Sequence, residues 1–416
     1  MARFRRSGVV VLLTLLQLCR QTHFHAWDTI YGEDGRIYAT DALGRGWATS
    51  IFRGYANYVQ VVPRLIALPI RLLPPGAWAI WFATVGSLVT ALLAVYVLVA
   101  SKDHISSPEL RLGLAALTAL SPVMWFEISA NTVNLGWPLL YAAFWASVQT
   151  TTTRQSVVVR CVVLAAAALT TPLAVFVLPV AAVMTWRRRS DRRSLLIAVV
   201  FVFALGVQGV ADRYARPGVR ASSSSVVDFV RVYVVRVLGT VLVGERKLAA
   251  FWIHLHDAFA LGICLAFAAI AILLYVMSRG RSVPLVVPVL AAVSSLLLFF
   301  GPLAIRGSSM MRLSATYQYS GSRYVYVPAL LVVTALVCVI DASKRTLLRH
   351  VAAAQIAVVI VTSFGLTNDH RVEVAPWPAT LAAARARCAH LADSAAVHLS
   401  VEPRGWAITT RCGSIR

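Results

Sequence analysis

The sequence predicts an all-α polytopic membrane protein with about eleven transmembrane helices. It also predicts interfacial helices in the first outside loop and a small α/β extracytoplasmic cap. The chain of 416 residues is 59% hydrophobic with a mean hydropathy of +0.73, only 13% of its residues are charged, and its apolar runs follow one another closely. Soluble globular proteins carry roughly 25% charged residues, so this composition is suited to lipid as the solvent.

Short basic loops between the apolar runs predict the orientation. Met1–Arg6 is basic, and Arg187–Arg193 contains five arginines. Because Lys and Arg accumulate in cytoplasmic loops, both segments are expected in the cytoplasm, and the alternation of spans then leaves the C-terminus outside. The high use of Arg, Ala and Val suggests a bacterial source with a GC-rich genome, so the predicted location is a bacterial plasma membrane.

The polar stretches divide the chain into a transmembrane domain over residues 1–366 and an extracytoplasmic domain over 367–416. Two large outside loops are predicted at 25–75 and 212–257. The first loop should hold interfacial helices at about 35–43 and 55–72, since apolar residues alternate there with Arg64 and Arg71. In the tail we expect a helix at 380–391 and short strands at 397–401 and 406–410.

Two cysteines lie outside the predicted membrane. Cys388 and Cys412 would join the tail helix to its second strand, and a disulfide persists on the oxidising side of a membrane. The alternative is a pair of free thiols.

The net charge of +22 does not indicate a nucleic-acid-binding protein. The arginines lie mostly in short loops between apolar runs, and no nucleic-acid-binding motif accompanies them. Anionic lipid head groups and lipid phosphates are the partners that such a distribution favours. The chain also lacks a Walker A, GxGxxG, GxSxG or HExxH motif, which argues against a soluble nucleotide-binding domain.

Carboxylates are scarce and cluster after the first span. Asp28, Glu33, Asp34 and Asp41 lie within fourteen positions. A carboxylate at the outer interface can act as a general base on an acceptor hydroxyl, and neighbouring charges with partial burial raise the pKa of one of them. The alternative is a helix N-terminus capped by acids.

A second polar group, Glu127, Asn131 and Asn134, falls at the outer ends of two predicted spans. An ionisable residue at membrane depth is a functional candidate by default. A polar turn solvated at the interface is the equally weighted alternative.

A third group begins a later span. Arg323 could clamp a phosphate through two parallel hydrogen bonds, and Tyr324 and Tyr326 fit either a binding site or an aromatic belt. Further cations are expected on the same side of the membrane: Arg231, Arg236, Arg306 and Arg312. His254, His256 and Asp257 suggest a metal site only weakly, because residues two apart do not share a helix face.

Together these segments resemble the GT-C superfamily of polytopic glycosyltransferases, in particular a bacterial, actinobacterial-like group within it. The matching stretches are Glu33-Asp34, 55–72, 131–145, Ser322-Arg323-Tyr324 and 406–412. The resemblance implies a polyprenyl-phosphate-linked sugar donor, attack at the outer face and inversion at the anomeric carbon. A glycan or glycolipid acceptor and membrane lipids are the other partners it implies.

In that mechanism Asp34 is the base, and Glu33 or Asp28 supports it or binds a divalent cation, which is the one cofactor considered. Arg323 holds the donor phosphate, while Glu127 and Asn131 line the acceptor side. The full set of predicted substrate-binding residues is Tyr58, Arg64, Glu127, Asn131, Asn134, Arg323 and Tyr324. The alternative functions are a transporter or flippase of a lipid-linked saccharide and a non-catalytic scaffold.

Overall fold

The computed structural model describes residues 2–21, 25–55, 58–123, 127–213, 226–278, 284–306, 321–365 and 373–416. It is 76% helical with one small two-stranded sheet, which is compatible with an all-α membrane protein. The α-helices are α1 (Ala2–Cys19), α2 (Thr40–Gly44), α3 (Trp47–Phe52), α4 (Val61–Ala67), α5 (Trp78–Ala100), α6 (Pro108–Leu120), α7 (Gly136–Val148), α8 (Arg154–Ala168), α9 (Leu178–Arg187), α10 (Arg192–Arg213), α11 (Val226–Val232), α12 (Gly239–Val243), α13 (Glu245–Ser278), α14 (Val286–Arg306), α15 (Arg323–Ala342), α16 (Thr346–Thr362) and α17 (Trp377–Cys388). Two π-helical segments, Asp34–Ala39 and Tyr233–Leu238, precede α2 and α12.

Among the residues that the structure describes, five helices are long and apolar enough to cross a membrane. They cover Pro75–Asp103, Arg192–Ala211, Asp257–Met277, Val286–Ala304 and Arg323–Ala342, and shorter apolar helices cover Arg6–Cys19, Pro172–Arg187 and Thr346–Thr362. Several apolar helices of this kind support the membrane class. The number of about eleven crossings and the orientation stay predictions.

The helices run between two ends of a bundle. At its first residue α5 meets the tail, where the rings of Trp78 and Trp377 lie 6.0 Å apart; its other end leads to Asp103, which accepts hydrogen bonds from Thr150 and Thr151. We call the first the cap end. The second, the loop end, comprises residues 101–109, 149–153, 187–191 and 341–345.

The centre of the bundle is α7, all of whose residues are buried. A helix that is apolar on every side is expected inside a bundle, and α7 packs against α5, α8, α9 and α15. Its N-terminus lies at the cap end, so the loop that precedes it, residues 127–135, is held close to the site described below.

The cap consists of α17 and an antiparallel hairpin of β1 (Ala396–Val401) and β2 (Trp406–Arg411), paired from Ala396↔Arg411 to Val401↔Trp406. Alternate residues of β1 are buried, as expected for a strand that covers a core on one face. A disulfide joins Cys388 to Cys412 with a Cα–Cα distance of 5.4 Å. The cap therefore has its own small core.

The first outside loop differs from the prediction in one helix. The expected helix at 55–72 begins only at Val61 and continues as a 3-10 turn over Leu68–Arg71. Pro63 falls in the first turn of α4, where its missing N–H is not needed. Tyr55 and Tyr58 exchange backbone hydrogen bonds of 3.0 and 3.2 Å instead of entering the helix.

The second predicted outside loop, 212–257, is largely helical where it is described. Residues 226–243 form α11, a π-helical segment and α12, and α13 then runs without interruption from Glu245 to Ser278. Gly244, with φ of +76°, makes the turn between them. The polar residues at 245–257 are the start of a long helix rather than a loop, while 214–225 lie outside the described residues.

Candidate functional site

Residues 30–34 are positioned by the cap. Glu402, at the end of β1, donates its N–H to the carbonyl of Ile30 and accepts from the N–H of Gly32. Gly32 has φ of +53°, a conformation that side-chain-bearing residues rarely adopt. The turn it makes places Glu33 and Asp34 at the start of the π-helical segment, with the cap on one side.

Asp34 is buried and bound to the loop before α7. Its two carboxylate oxygens accept from the N–H of Thr132 at 2.8 Å and from the Thr132 hydroxyl at 2.6 Å. Each oxygen of this carboxylate therefore accepts one charge-assisted hydrogen bond from Thr132. It joins the first outside loop to residues 127–135, which is the arrangement of a positioning residue.

The loop at 127–135 is folded by its own amides. Asn131 donates from Nδ2 to the carbonyls of Glu127 and Ser129 at 2.8 and 3.3 Å, and Asn134 also donates to the Glu127 carbonyl. The loop backbone lies directly on Gly86 of α5, where a Cβ atom would come within 2.6 Å of the Asn131 oxygen. Both predicted binding residues thus shape the turn that carries Glu127.

Glu127 and Arg323 lie together. A carboxylate oxygen of Glu127 accepts from the backbone N–H of Arg323 at 3.2 Å, and the guanidinium interacts with the same carboxylate electrostatically. That guanidinium also lies 5.5 Å from the ring centre of Tyr324, whose ring packs edge-on against Trp137 at 5.2 Å. Two of the predicted groups thus form one cluster at the N-terminus of α15.

Glu33, in the predicted first outside loop, acts through its charge on this cluster. It is partly exposed, and its charge acts on Arg323, Tyr38 and Tyr55. Burial, with a contribution from Glu33, raises the pKa of Tyr55, while Arg36 and Arg323 oppose the rise. Within the described part of the chain, no hydrogen bond or close ion pair engages the Glu33 side chain, which distinguishes it from Asp34.

The remaining predicted residues have diverse surroundings. Arg64 is buried under Tyr38, with its guanidinium 5.4 Å from the ring centre, and donates to Asp41 at 3.0 Å. The pKa of Tyr38 is raised well above its usual range, mainly by burial and in addition by the nearby Tyr58. Asp28 ends a 3-10 turn (Ala26–Asp28) beside α5 and is partly exposed. Among the described contacts, none joins Asp28 to Glu33 or to the cluster at the N-terminus of α15.

Two further arginines are buried, and one of them, Arg236, contacts the residue that precedes Arg323. Arg236 is buried and donates to the Ser322 hydroxyl at 3.2 Å, directly before Arg323. Arg20 is buried at the end of α1 and donates to the carbonyls of Ser121 and Ser363. The sequence feature that could have indicated Arg20 is its position directly after an apolar run. Arg312 and the side chain of Arg306 lie outside what the structure describes.

An apolar cavity of about 240 Å³ lies among α6, α12, α13, α15 and α16. Its lining includes Pro122, Val123, Ala329 and Leu330, so it lies beside the chain that leads to Glu127 and along the helix that begins with Arg323. At 1.5 Å per residue, six positions along α15 separate Arg323 from Ala329 by about 9 Å. An apolar chain in this cavity would have its polar end near the cluster.

Among the described residues no group of three or more His, Cys, Asp or Glu side chains is placed to hold a metal ion. Comparisons of the chain with family models, curated proteins and solved structures found no match. The function proposed below is therefore inferred from the residues that meet at the cap end.

Proposed function

We propose that the protein is an inverting glycosyltransferase that moves a sugar from a polyprenyl-phosphate-linked donor to an acceptor, in the bacterial plasma membrane, at the outer face. The observation that supports the proposal is that Glu33, which has no hydrogen bond among the described residues, lies near enough for its charge to act on Arg323, and that the helix begun by Arg323 lines an apolar cavity. Such a donor needs these three features in one place: a base, a cation for phosphate and a path for an apolar chain.

The base in this proposal is Glu33 rather than Asp34. A general base needs a free lone pair within reach of the hydroxyl whose proton it takes. Asp34 directs both of its oxygens to Thr132, whereas Glu33 is partly exposed. Asp34 then acts by fixing the loop at 127–135 and so holds Glu127 and Asn131 on the far side of Arg323.

The donor phosphate is assigned to Arg323. A guanidinium offers two parallel donors to a phosphate, and Glu127 orients this one through its backbone N–H and its charge. The isoprenoid chain would occupy the apolar cavity along α15. The donor's anomeric carbon would then lie beyond Arg323, towards Glu33.

In the reaction the acceptor oxygen bonds to the anomeric carbon as the bond from that carbon to the phosphate oxygen breaks. The electron pair of the broken bond stays on polyprenyl phosphate, where Arg323 stabilises the added charge. The acceptor proton moves to Glu33 and then to water. One displacement of this kind inverts the anomeric configuration.

The test is sugar transfer in proteoliposomes with a panel of radiolabelled polyprenyl phosphate sugars. Glu33→Gln should lower transfer about 100- to 10,000-fold, the usual contribution of a general base. Asp34→Asn keeps an acceptor for Thr132 and should lose less. Glu109→Gln makes the same chemical change at an exposed site of the loop end and serves as the matched control.

Two results would overturn the proposal. Full activity of Glu33→Gln would remove this residue from the chemistry. Movement of the labelled lipid across the bilayer by wild type, without transfer of sugar from any donor, would favour the transporter, since an apolar cavity and a phosphate-binding arginine suit both functions.

A further inference from the structure

A second cavity, of about 620 Å³, lies on the other side of Tyr55. It is lined by residues of the predicted first outside loop and by Thr409 of the cap strand β2. The charged residues among the described lining are four arginines, Arg36, Arg45, Arg53 and Arg64, and one carboxylate, Asp41. The lining therefore carries an excess of three positive charges.

Asp41 is the centre of this cluster. One of its oxygens accepts from Arg45 at 3.1 Å and from Arg53 at 2.7 Å, and the other accepts from Arg64 at 3.0 Å. One carboxylate cannot neutralise three guanidinium groups. Ion pairing therefore leaves the cavity strongly positive, and the compact placement of like charges is not explained by stability.

The arginines divide into a floor and a rim. Arg64 is buried and also donates to the Ser50 carbonyl at 2.8 Å, so it holds the floor. Arg45 and Arg53 have 49% and 44% of their side chains exposed and keep donors free for a ligand. Arg36 is exposed on the opposite wall, with its guanidinium 4.7 Å above the Trp406 ring of the cap.

The cap forms one wall of the cavity through two contacts with the first outside loop. The backbone N–H of Thr409 donates to the Thr40 hydroxyl at 3.1 Å. Trp406 supports Arg36 from the same strand. The small C-terminal domain thus supplies one wall of a cationic chamber that is open to solvent along its exposed arginines, and a cleft lined by charges of one sign attracts anions.

Tyr55 connects this chamber to the proposed catalytic cluster. It lines the cavity, and its hydroxyl responds to the charge of Glu33. An occupant of the chamber would therefore extend towards the proposed base without approaching the apolar cavity, which lies along α15. This position suits the molecule that receives the sugar.

We propose that the arginine chamber binds an acidic saccharide, one that carries phosphate or carboxylate groups, as the acceptor. The choice of a saccharide and its role as acceptor rest on the proposed function, whereas the binding of an anion rests on the charges of the chamber alone. Two rim arginines match the oxygens of a phosphate or carboxylate with parallel hydrogen bonds. Asp41 holds the two rim arginines next to each other, because both pair with the same carboxylate oxygen.

The experiment is calorimetric titration of the full chain in phosphatidylcholine nanodiscs with glucose 6-phosphate, glucuronate and glucose. Both acidic sugars should bind with affinities that fall as salt rises, and glucose should bind far more weakly. Equal affinity for glucose and the acidic sugars, or no binding of either acidic sugar, would overturn the proposal.

Variants assign the binding to the rim. Arg53→Gln should weaken binding about 10- to 100-fold, the usual value of a hydrogen bond to a charged group, and Arg53→Lys should recover part of it. Arg411→Gln, an exposed arginine of β2 outside the cavity, is the matched control. Unchanged affinity in Arg45→Gln and Arg53→Gln, with wild-type melting temperatures, would place the anion elsewhere.

Lipid head groups share the chemistry of phosphate, so the titration is repeated in phosphatidylglycerol nanodiscs. Binding that persists there supports a saccharide site. Binding that is abolished by the anionic lipid, at matched salt, would mean that a head group occupies the chamber. Because titration needs no turnover, acidic sugars that bind without sugar transfer from any donor would refute the proposed enzyme and leave the chamber standing.

Discussion

The two ends of the bundle use their carboxylates in opposite ways. At the loop end, Asp103 and Asp341 each accept several hydrogen bonds from a loop packed beside them, and Asp191 accepts from the first turn of α10. At the cap end, Glu33 has no such bond within the described residues, and Asp41 is shared among three arginines. The fold therefore engages these carboxylates of the loop end, whereas Glu33 and the arginines around Asp41 retain charge that a ligand could satisfy.

This contrast is informative because both ends contain the same residue types. A carboxylate that binds a loop stabilises the fold, and the hydrogen bonds that it accepts there favour its charged form and lower its strength as a base. Asp34 also lies at the cap end, yet both of its carboxylate oxygens accept hydrogen bonds from Thr132, as the carboxylates of the loop end do from their neighbours. The neighbouring positions Glu33 and Asp34 therefore divide the two roles between them.

The largest expected effect on stability is at the loop end. Asp341 is buried, accepts from the N–H groups of Ser106 and Ser107 at 2.7 and 3.1 Å, and pairs with Arg349 at 3.1 Å. Asp341→Ala would strand all of these donors and should lower the free energy of unfolding by about 3–5 kcal/mol. Denaturation in mixed micelles measures this value, and a loss below about 1 kcal/mol would contradict the account.

A smaller loss is expected from Asp34→Ala. The change leaves the N–H and the hydroxyl of Thr132 without their acceptor in a buried place, and each such group costs about 1–3 kcal/mol. We expect a total of about 2–4 kcal/mol in the same denaturation experiment, together with reduced protection of residues 127–135 in hydrogen exchange. Wild-type stability and exchange would show that this link does not hold the loop.

The contact between cap and first loop gives the next effect. A Cβ atom on Gly35 would lie 2.8 Å from a methyl group of Val401, which is buried at the end of β1. Gly35→Ala should destabilise the protein by about 1–3 kcal/mol through overpacking. Gly44→Ala is the matched control, because nothing lies within 4 Å of its added Cβ, and it should be neutral or slightly stabilising.

The smallest effect is a dependence of stability on pH at the loop end. Burial lowers the pKa of His104 below its usual value of 6.5, although the ring donates from Nε2 to the Val148 carbonyl at 2.9 Å. The folded state therefore favours the neutral ring. This contribution is complete above pH 6.5 and is lost as pH falls from there through the folded pKa.

Melting temperatures measured from pH 8 to pH 5 in wild type and His104→Gln check this prediction, over about the range in which histidine titrates. The difference between the two proteins should shrink as pH falls. A difference that is constant across the range would mean that His104 titrates alike in the folded and unfolded chains.

Much of the architecture could be predicted from local patterns. Long apolar runs identified α5 and α15, and alternation with a turn identified the hairpin of the cap. The predicted helix is not observed at Tyr55 or at 58–60, which precede α4, and Glu245–Asp257, predicted within an outside loop, form the first part of α13. Tertiary contacts decided these segments, and composition carries little information about such contacts.

The candidate site was only partly predictable. Scarcity of acids indicated Glu33 and Asp34, yet nothing in the sequence could tell which of them is engaged, because Thr132 is 98 positions away from Asp34. The meeting of Arg323 with Glu127 likewise depends on the packing of α15 beside α7. Asp41 appeared in the sequence as one more acid, and only the fold gathers three arginines around it.

The most direct test compares Glu33→Ala with Asp341→Ala in paired measurements of unfolding free energy and sugar transfer in proteoliposomes. The account predicts that Glu33→Ala keeps the stability of wild type to within about 0.5 kcal/mol and loses transfer, while Asp341→Ala loses stability. A Glu33→Ala variant that transfers sugar normally, or that is as unstable as Asp341→Ala, would contradict the division between the two ends.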